Sequence, residues 1–122
     1  MTRARLQTGR QGEELAVRYL QENGYLILER NFRCPLGEMD IVARHGDILV
    51  FVEVRSRRSE VYGEPLESIG IVKQKKLSRI ALYYLQKHNL QGQKARFDVL
   101  GVKIQPGGHE IHIVRDAFDV MF

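Results

Sequence analysis

Apolar positions along this chain switch between helical and strand spacing, and the switches define its elements. Leu15, Ala16, Tyr19 and Leu20 recur at helical spacing. They predict a helix from Thr8 or Gly9 to about Asn23, with Gly24 as its stop. Residues 1–7 precede it as a flexible basic arm. Residues 25–32, YLILERNF, read as a strand, and residues 33–37 as a turn punctuated by Pro35 and Gly37. IVAR and ILVFVEV then flank Gly46-Asp47 as two strands around a tight turn. The second of these is apolar on both faces until Glu53, which marks an interior strand covered on both sides. Residues 56–68 form a polar loop carrying Gly63 and Pro65. It leaves directly from that strand and is a candidate substrate-contacting flap.

A second helix spans about residues 69–88, with Val72, Leu77, Ile80, Ala81, Tyr84 and Leu85 as its apolar stripe. Residues 95–104 are a fourth strand. Phe97, Val99, Gly101 and Lys103 share one face, and Asp98, Leu100, Val102 and Ile104 the other. Residues 109–118 read as an edge strand with one wet face. The order is α-β-β-β-α-β-β, an α/β arrangement that predicts a mixed sheet with helices packed on its faces. With 122 residues the chain is long enough for one domain and too short for two.

Two acids in the central hairpin do not fit a purely apolar pattern. If Gly46-Asp47 is a two-residue type II′ loop, His45 faces Ile48 and Asp40 faces Glu53. Their Cβ atoms then lie about 4.5–5.5 Å apart. Alternation places Arg55 beside Glu53, while Ile41 and Ala43 join Val50, Val52 and Val54 on the other face. Carboxylates this close repel unless a cation lies between them or one is protonated. Hard divalent ions such as Mg2+ or Mn2+ prefer such oxygen ligands.

Charge adds a second theme. The net charge is +4. Arg3, Arg5 and Arg10 crowd the start of the chain, Arg57 and Arg58 follow the hairpin with Arg55, and Lys73, Lys75, Lys76 and Arg79 form a third cluster. Such clusters are what a phosphate backbone binds, although any one of them alone reads first as a solvated face. The single Cys34 excludes an intrachain disulfide and fits a reducing cytoplasm. No apolar run approaches the length of a membrane span, and the first residues lack a signal-peptide core. Tyr83 and Tyr84 read as helix-packing residues. His109 and His112 fall on opposite strand faces, so they do not share a metal. The apolar tail 118–122 is expected to cover the core or a second copy, and the sequence allows a monomer or a homodimer alike.

The element order resembles the PD-(D/E)XK, or restriction-endonuclease-like, superfamily. That signature is an acid opening the second strand, then an acid, any residue and a lysine in the third. Here Asp40 and Glu53-Val54-Arg55 correspond. GEELAVRYL, GYLILERNFR, GEMDIVAR, LVFVEVRSR and ARFDVL resemble, more closely, the YraN family of small bacterial proteins, itself similar to archaeal Holliday junction resolvases. The resemblance runs from about Gly9 to about Val102. It implies that Asp40 and Glu53 bind Mg2+ or Mn2+ and that Glu13 completes the metal site. It further implies accessory roles for Glu38, Lys73 and Gln74, a DNA partner, and no small-molecule cofactor. Arg55 stands where nucleases carry lysine. Arginine does not lose its proton, so it is suited to orienting a water or stabilising charge rather than to acting as a base.

Three readings follow. The first is a metal-dependent endonuclease acting on DNA, with branched or structured DNA among its substrates. The second is a nucleic-acid-binding protein that keeps the nuclease fold without catalysis. The third is a structural role in which Arg55 satisfies both acids.

Overall fold

The computed structural model describes residues 3–58 and 69–120, with side chains of the first helix from residue 7 onward. The elements are α1 (Arg3–Glu22), β1 (Tyr25–Cys34), β2 (Gly37–His45), β3 (Ile48–Arg58), α2 (Ile71–Lys87), β4 (Ala95–Gln105) and β5 (Gly108–Val114). The predicted α-β-β-β-α-β-β order is therefore the observed one. The five strands form one sheet in sequence order, β1-β2-β3-β4-β5. All neighbours are antiparallel except β3 and β4, which run parallel. The connection through α2 makes that parallel step possible, because parallel strands need a long crossover.

Each helix covers one face of the sheet. α1 presents Ala16, Val17 and Leu20 to Ile41, Ala43, Val50, Val52, Leu100 and Val102. α2 presents Leu77, Ile80, Ala81, Tyr84 and Leu85 to Phe32, Met39, Val42, Leu49, Phe51 and Phe97. Val50, Val52 and Phe51 of β3 are fully buried, so the central strand is sealed on both faces. Phe118 stacks on Phe97 with ring centroids 4.6 Å apart, and Val120 packs on the same cluster. The end of the chain thus covers the core as far as it is described, and residues 121–122 lie outside the described residues.

Several boundaries differ from the sequence reading for physical reasons. α1 begins at Arg3 rather than at Thr8 or Gly9. Residues 3–8 contain Arg, Ala, Leu and Gln, all good helix formers, and Gly9 does not break the helix. Thr8, cast as an opening residue, is instead mid-helix and buried. Residues 1–2 of the predicted arm, and the side chains of Arg3 and Arg5, lie outside what is described. β3 continues to Arg58, because β4 is long enough to pair Ser56, Arg57 and Arg58 with Val102, Lys103 and Ile104. The predicted flap is therefore strand over residues 56–58, and residues 59–68 lie outside the described residues. Val72, placed in the apolar stripe of the second helix, is 80% exposed. Burial along α2 starts only at Leu77, one turn further on. Among the described residues no helix is long and apolar enough to cross a membrane.

Candidate functional site

The turn at Gly46-Asp47 sets the level at which the hairpin residues meet. Gly46 has φ 63° and Asp47 is not left-handed, the pattern of a type II′ turn. The register follows as predicted, His45 with Ile48 through Ile41 with Val52. One step beyond, the backbone ladder stops and a side chain takes over. Asp40 Oδ2 accepts a hydrogen bond from the Val54 amide at 2.8 Å. Alternation also slips at this point. Met39 packs on the α2 side and Ile41 on the α1 side, although two residues apart they would share a face in a regular strand. On β1 the level of Asp40 falls between the pairs Arg30↔Ile41 and Phe32↔Met39, where Asn31 has φ 54°. A local irregularity in both strands thus surrounds Asp40.

Asp40 and Glu53 interact directly. The Asp40 carboxyl is pushed up to about 7, first by burial, then by the charge of Glu53 and a hydrogen bond with it. The Val54 amide and the charge of Lys73 pull the other way. The Glu53 side chain is 15% exposed, and its Oε2 lies 3.7 Å from Lys73 Nζ. Glu53, Arg55, Ile69, Gly70 and Lys73 line an open cleft of about 250 Å³ between β3 and the start of α2. Gln74 donates from Nε2 to the Ile69 carbonyl at 2.7 Å, which pins the turn that leads into α2. Gln74 therefore shapes the cleft wall.

The remaining acids named from the sequence lie elsewhere. Glu13 on α1 accepts hydrogen bonds from Asn31 Nδ2 at 2.9 Å and Arg30 Nε at 3.4 Å, while Glu14 takes Arg30 Nη2 at 2.6 Å. Asn31 stands opposite Asp40, so Glu13 is tied to the next strand at the same level. Glu38 is exposed and pairs with Arg33 at 3.5 Å, because the slip in alternation separates it from the face of Asp40. Among the described residues no group of three or more His, Cys, Asp and Glu gathers as a metal-ligand set. The acidic centre is a pair.

The basic residues are distributed over both helix-covered faces of the sheet. Arg58 donates from Nε to Thr8 Oγ1 at 3.2 Å, which brings the end of β3 beside the α1 segment that carries exposed Arg10. Arg57 is half-buried on the same strand end. Lys73, Lys75, Lys76 and Arg79 are exposed on α2, with Lys73 reaching Glu53.

A second polar cluster escaped the sequence reading. Asp98 is fully buried and accepts from Tyr25 Oη at 2.8 Å, Arg96 Nε at 2.9 Å and the Asp116 amide at 3.0 Å. Arg96 Nη2 also lies 2.9 Å from His45 Nδ1, and the His45 ring stacks on Tyr25. Asp98 is the one acid in β4, and Arg96 two residues earlier is the available signal for its partner.

Fold and site define a class: a mixed sheet between two helices, with a partly buried acid pair where its central hairpin opens onto a cleft lined by Arg55 and Lys73. Residues 12–102 match the model described as "Uncharacterised protein family UPF0102". The chain belongs to the UPF0102 family, which is the YraN family that its sequence blocks resemble. A UPF0102 protein of Syntrophus aciditrophicus is 50% identical over 117 residues, covering 96% of this chain and 92% of that one. Another, from Desulfosudis oleivorans, is 47% identical over 119 residues, covering 98% and 95%. A third, from Moorella thermoacetica, is 45% identical over 120 residues, covering 97% and 100%. Among solved structures, Pyrococcus furiosus SfsA in complex with Ca2+ aligns with a TM-score of 0.37 and 16% identity. The alignment covers 93% of this chain and 63% of that chain, a likeness too distant to carry anything across.

Proposed function

We propose that this chain is a metal-dependent endonuclease-like phosphodiesterase that acts on DNA, with branched or structured DNA among its substrates. The observation that supports it is the Asp40–Glu53 pair. Two carboxyls are pressed together in an apolar hairpin, and Asp40 is pushed up to about 7, first by burial and then by the charge of Glu53. An arrangement this unfavourable for two anions is what a cation relieves. The donor set fits a hard divalent ion, since both donors are carboxylates and, among the described residues, no thiol or imidazole lines the cleft. Asp40 and Glu53 would hold Mg2+ or Mn2+, and such an ion would supply a bound water of lowered pKa and polarise a phosphoryl oxygen.

The rest of the site suits a phosphodiester. Arg55 and Lys73 line the same cleft as Glu53, where they can hold the scissile phosphate and stabilise charge that develops on it. Arg55 keeps its proton, so it orients and neutralises. Arg10 and Arg58 beside α1, Arg57 at the end of β3, and exposed Lys75, Lys76 and Arg79 on α2 add basic surface that suits the sugar-phosphate backbone, which carries no sequence information of its own. The test is cleavage of single-stranded, duplex and four-way-junction DNA with Mg2+ and with Mn2+. Cleavage that Glu53→Gln abolishes supports the reading. Intact DNA throughout, or cleavage that survives Glu53→Gln, overturns it.

Arg55 in the lysine position favours one second reading, a DNA-binding protein without turnover. It expects salt-dependent DNA affinity that is indifferent to Asp40 and Glu53. Cleavage gained on Arg55→Lys would show that only this residue withholds catalysis.

A further inference from the structure

Lys73 has a position that neither the acid pair nor the DNA-binding surface explains by itself. It sits in the first turn of α2, in the opposite wall of the cleft from β3, with Nζ 3.7 Å from Glu53 Oε2. Its charge also acts on Asp40, whose carboxyl it draws downward. One ammonium thus serves both carboxyls. At 3.7 Å it is close enough to neutralise Glu53 but long for a hydrogen bond. The Lys73 side chain is 53% exposed, against 15% for Glu53. One partner of the pair is therefore fixed in the strand, and the other is a solvated cation on a flexible stem. The turn beneath that stem is itself held, through Gln74 to the Ile69 carbonyl.

We infer that Lys73 is an internal counter-ion of the acid pair, which gives up Glu53 when a divalent cation binds and turns to the substrate phosphate. The inference rests on the metal-site reading above. A divalent ion held by Asp40 and Glu53 would repel an ammonium that lies 3.7 Å from Glu53, so the two cations would compete for the same charge. The released ammonium stays within reach of the cleft it lines with Arg55, where a phosphate carries the next available negative charge. Lys73 is thereby a positioning residue with two partners in turn. An ordinary exposed ion pair would affect neither ligand, and a purely structural pair would weaken both when broken.

The test uses the full chain, with Mn2+ affinity measured by calorimetry in the absence of DNA. Duplex affinity is measured separately in Ca2+, so that binding is read without turnover. Lys73→Met is expected to tighten Mn2+ binding roughly 3- to 10-fold and to weaken DNA binding by a similar factor. Lys73→Arg keeps the charge and is expected to return both affinities to within about 2-fold of the unmodified chain. Mn2+ affinity unchanged or weaker in Lys73→Met, beside measurable Mn2+ binding by the unmodified chain, overturns the inference and leaves the metal site standing. No Mn2+ binding by the unmodified chain overturns both.

Discussion

Asp40 and Glu53 approach each other where the backbone ladder between β2 and β3 has already ended, and the Asp40 carboxylate bonds the Val54 amide there at 2.8 Å. Their proximity is fixed at two points. The Gly46-Asp47 turn sets the register at one end of the hairpin, and the Asp40–Val54 bond pins the other. Asp40 cannot turn away without unpairing the Val54 amide, whereas Glu53 faces the open cleft.

This pair makes stability depend on pH. Asp40 titrates at about 7 in the folded chain against an ordinary value of 3.8, because burial and Glu53 disfavour its charge. The folded state therefore binds this proton more tightly than the unfolded state. The stabilisation is full below about pH 4 and is lost as pH rises toward about 7. Without divalent ions, Asp40→Asn is expected to raise stability at about pH 8 by roughly 2–4 kcal/mol and by less than half as much near pH 5. Thermal unfolding in EDTA at the two pH values checks this. An equal effect at both would show that Asp40 is not protonated in the fold.

The turn makes a smaller prediction. Gly46 has φ 63°, a region where a β-carbon costs roughly 1–2 kcal/mol. Gly46→Val should lose about that much in urea unfolding, and Gly46→Asn clearly less, since asparagine tolerates this region. Among the described residues, nothing beyond its two chain neighbours lies within 4 Å of the β-carbon position, so backbone conformation sets the cost. Equal losses for both variants would point to another cause.

Much of this architecture was legible in the sequence because two of its signals are local. Helical and strand spacing gave the element order, and one turn dipeptide gave the hairpin register from Ile41 to Ile48. What could not be read depended on contacts between distant segments. The slip at Asp40 involves Asn31 on a neighbouring strand, and it removed Glu38 from the face that strict alternation assigned. Glu13 is held by Arg30 and Asn31, partners no spacing within its own helix identifies. Lys73 meets Glu53 only because the crossover returns α2 over the end of β3. Val72 satisfied the helical period, yet among the described residues nothing covers it and it is exposed.

Gly12 shows a close approach that composition conceals. Thr8, Gly12, Ala16 and Leu20 form one buried row of α1 at four-residue spacing. A β-carbon at Gly12 would collide with the Ser56 side chain on β3. Gly12→Ala should therefore destabilise by about 1–3 kcal/mol despite the better helix propensity of alanine. Combining it with Ser56→Gly should recover part of that loss, since the obstructing atoms are gone. Denaturant midpoints of the two single variants and the pair measure the coupling. Strict additivity would exclude this contact as the cause.

The Asp98 cluster should be a stability element separate from the acid pair. It lies at the other end of the hairpin, where Tyr25 pairs with His45, five residues along β2 from Asp40. Asp98 is fully buried, and the Arg96 side chain is only 15% exposed. Asp98→Ala would leave that guanidinium without its carboxylate and the Asp116 amide without its acceptor. Removing one partner of a buried ion pair costs about 3–5 kcal/mol. Tyr25→Phe keeps the ring stacked on His45 but deletes the hydroxyl bond to Asp98, so about 1–2 kcal/mol is expected. Urea unfolding orders the two variants, and Mn2+ affinity of the folded protein at low urea should be unchanged in both. An Asp98→Ala variant within 1 kcal/mol of the unmodified chain would mean that Arg96 finds a new partner. Lost Mn2+ affinity would mean instead that the two ends of the hairpin are mechanically coupled through β2.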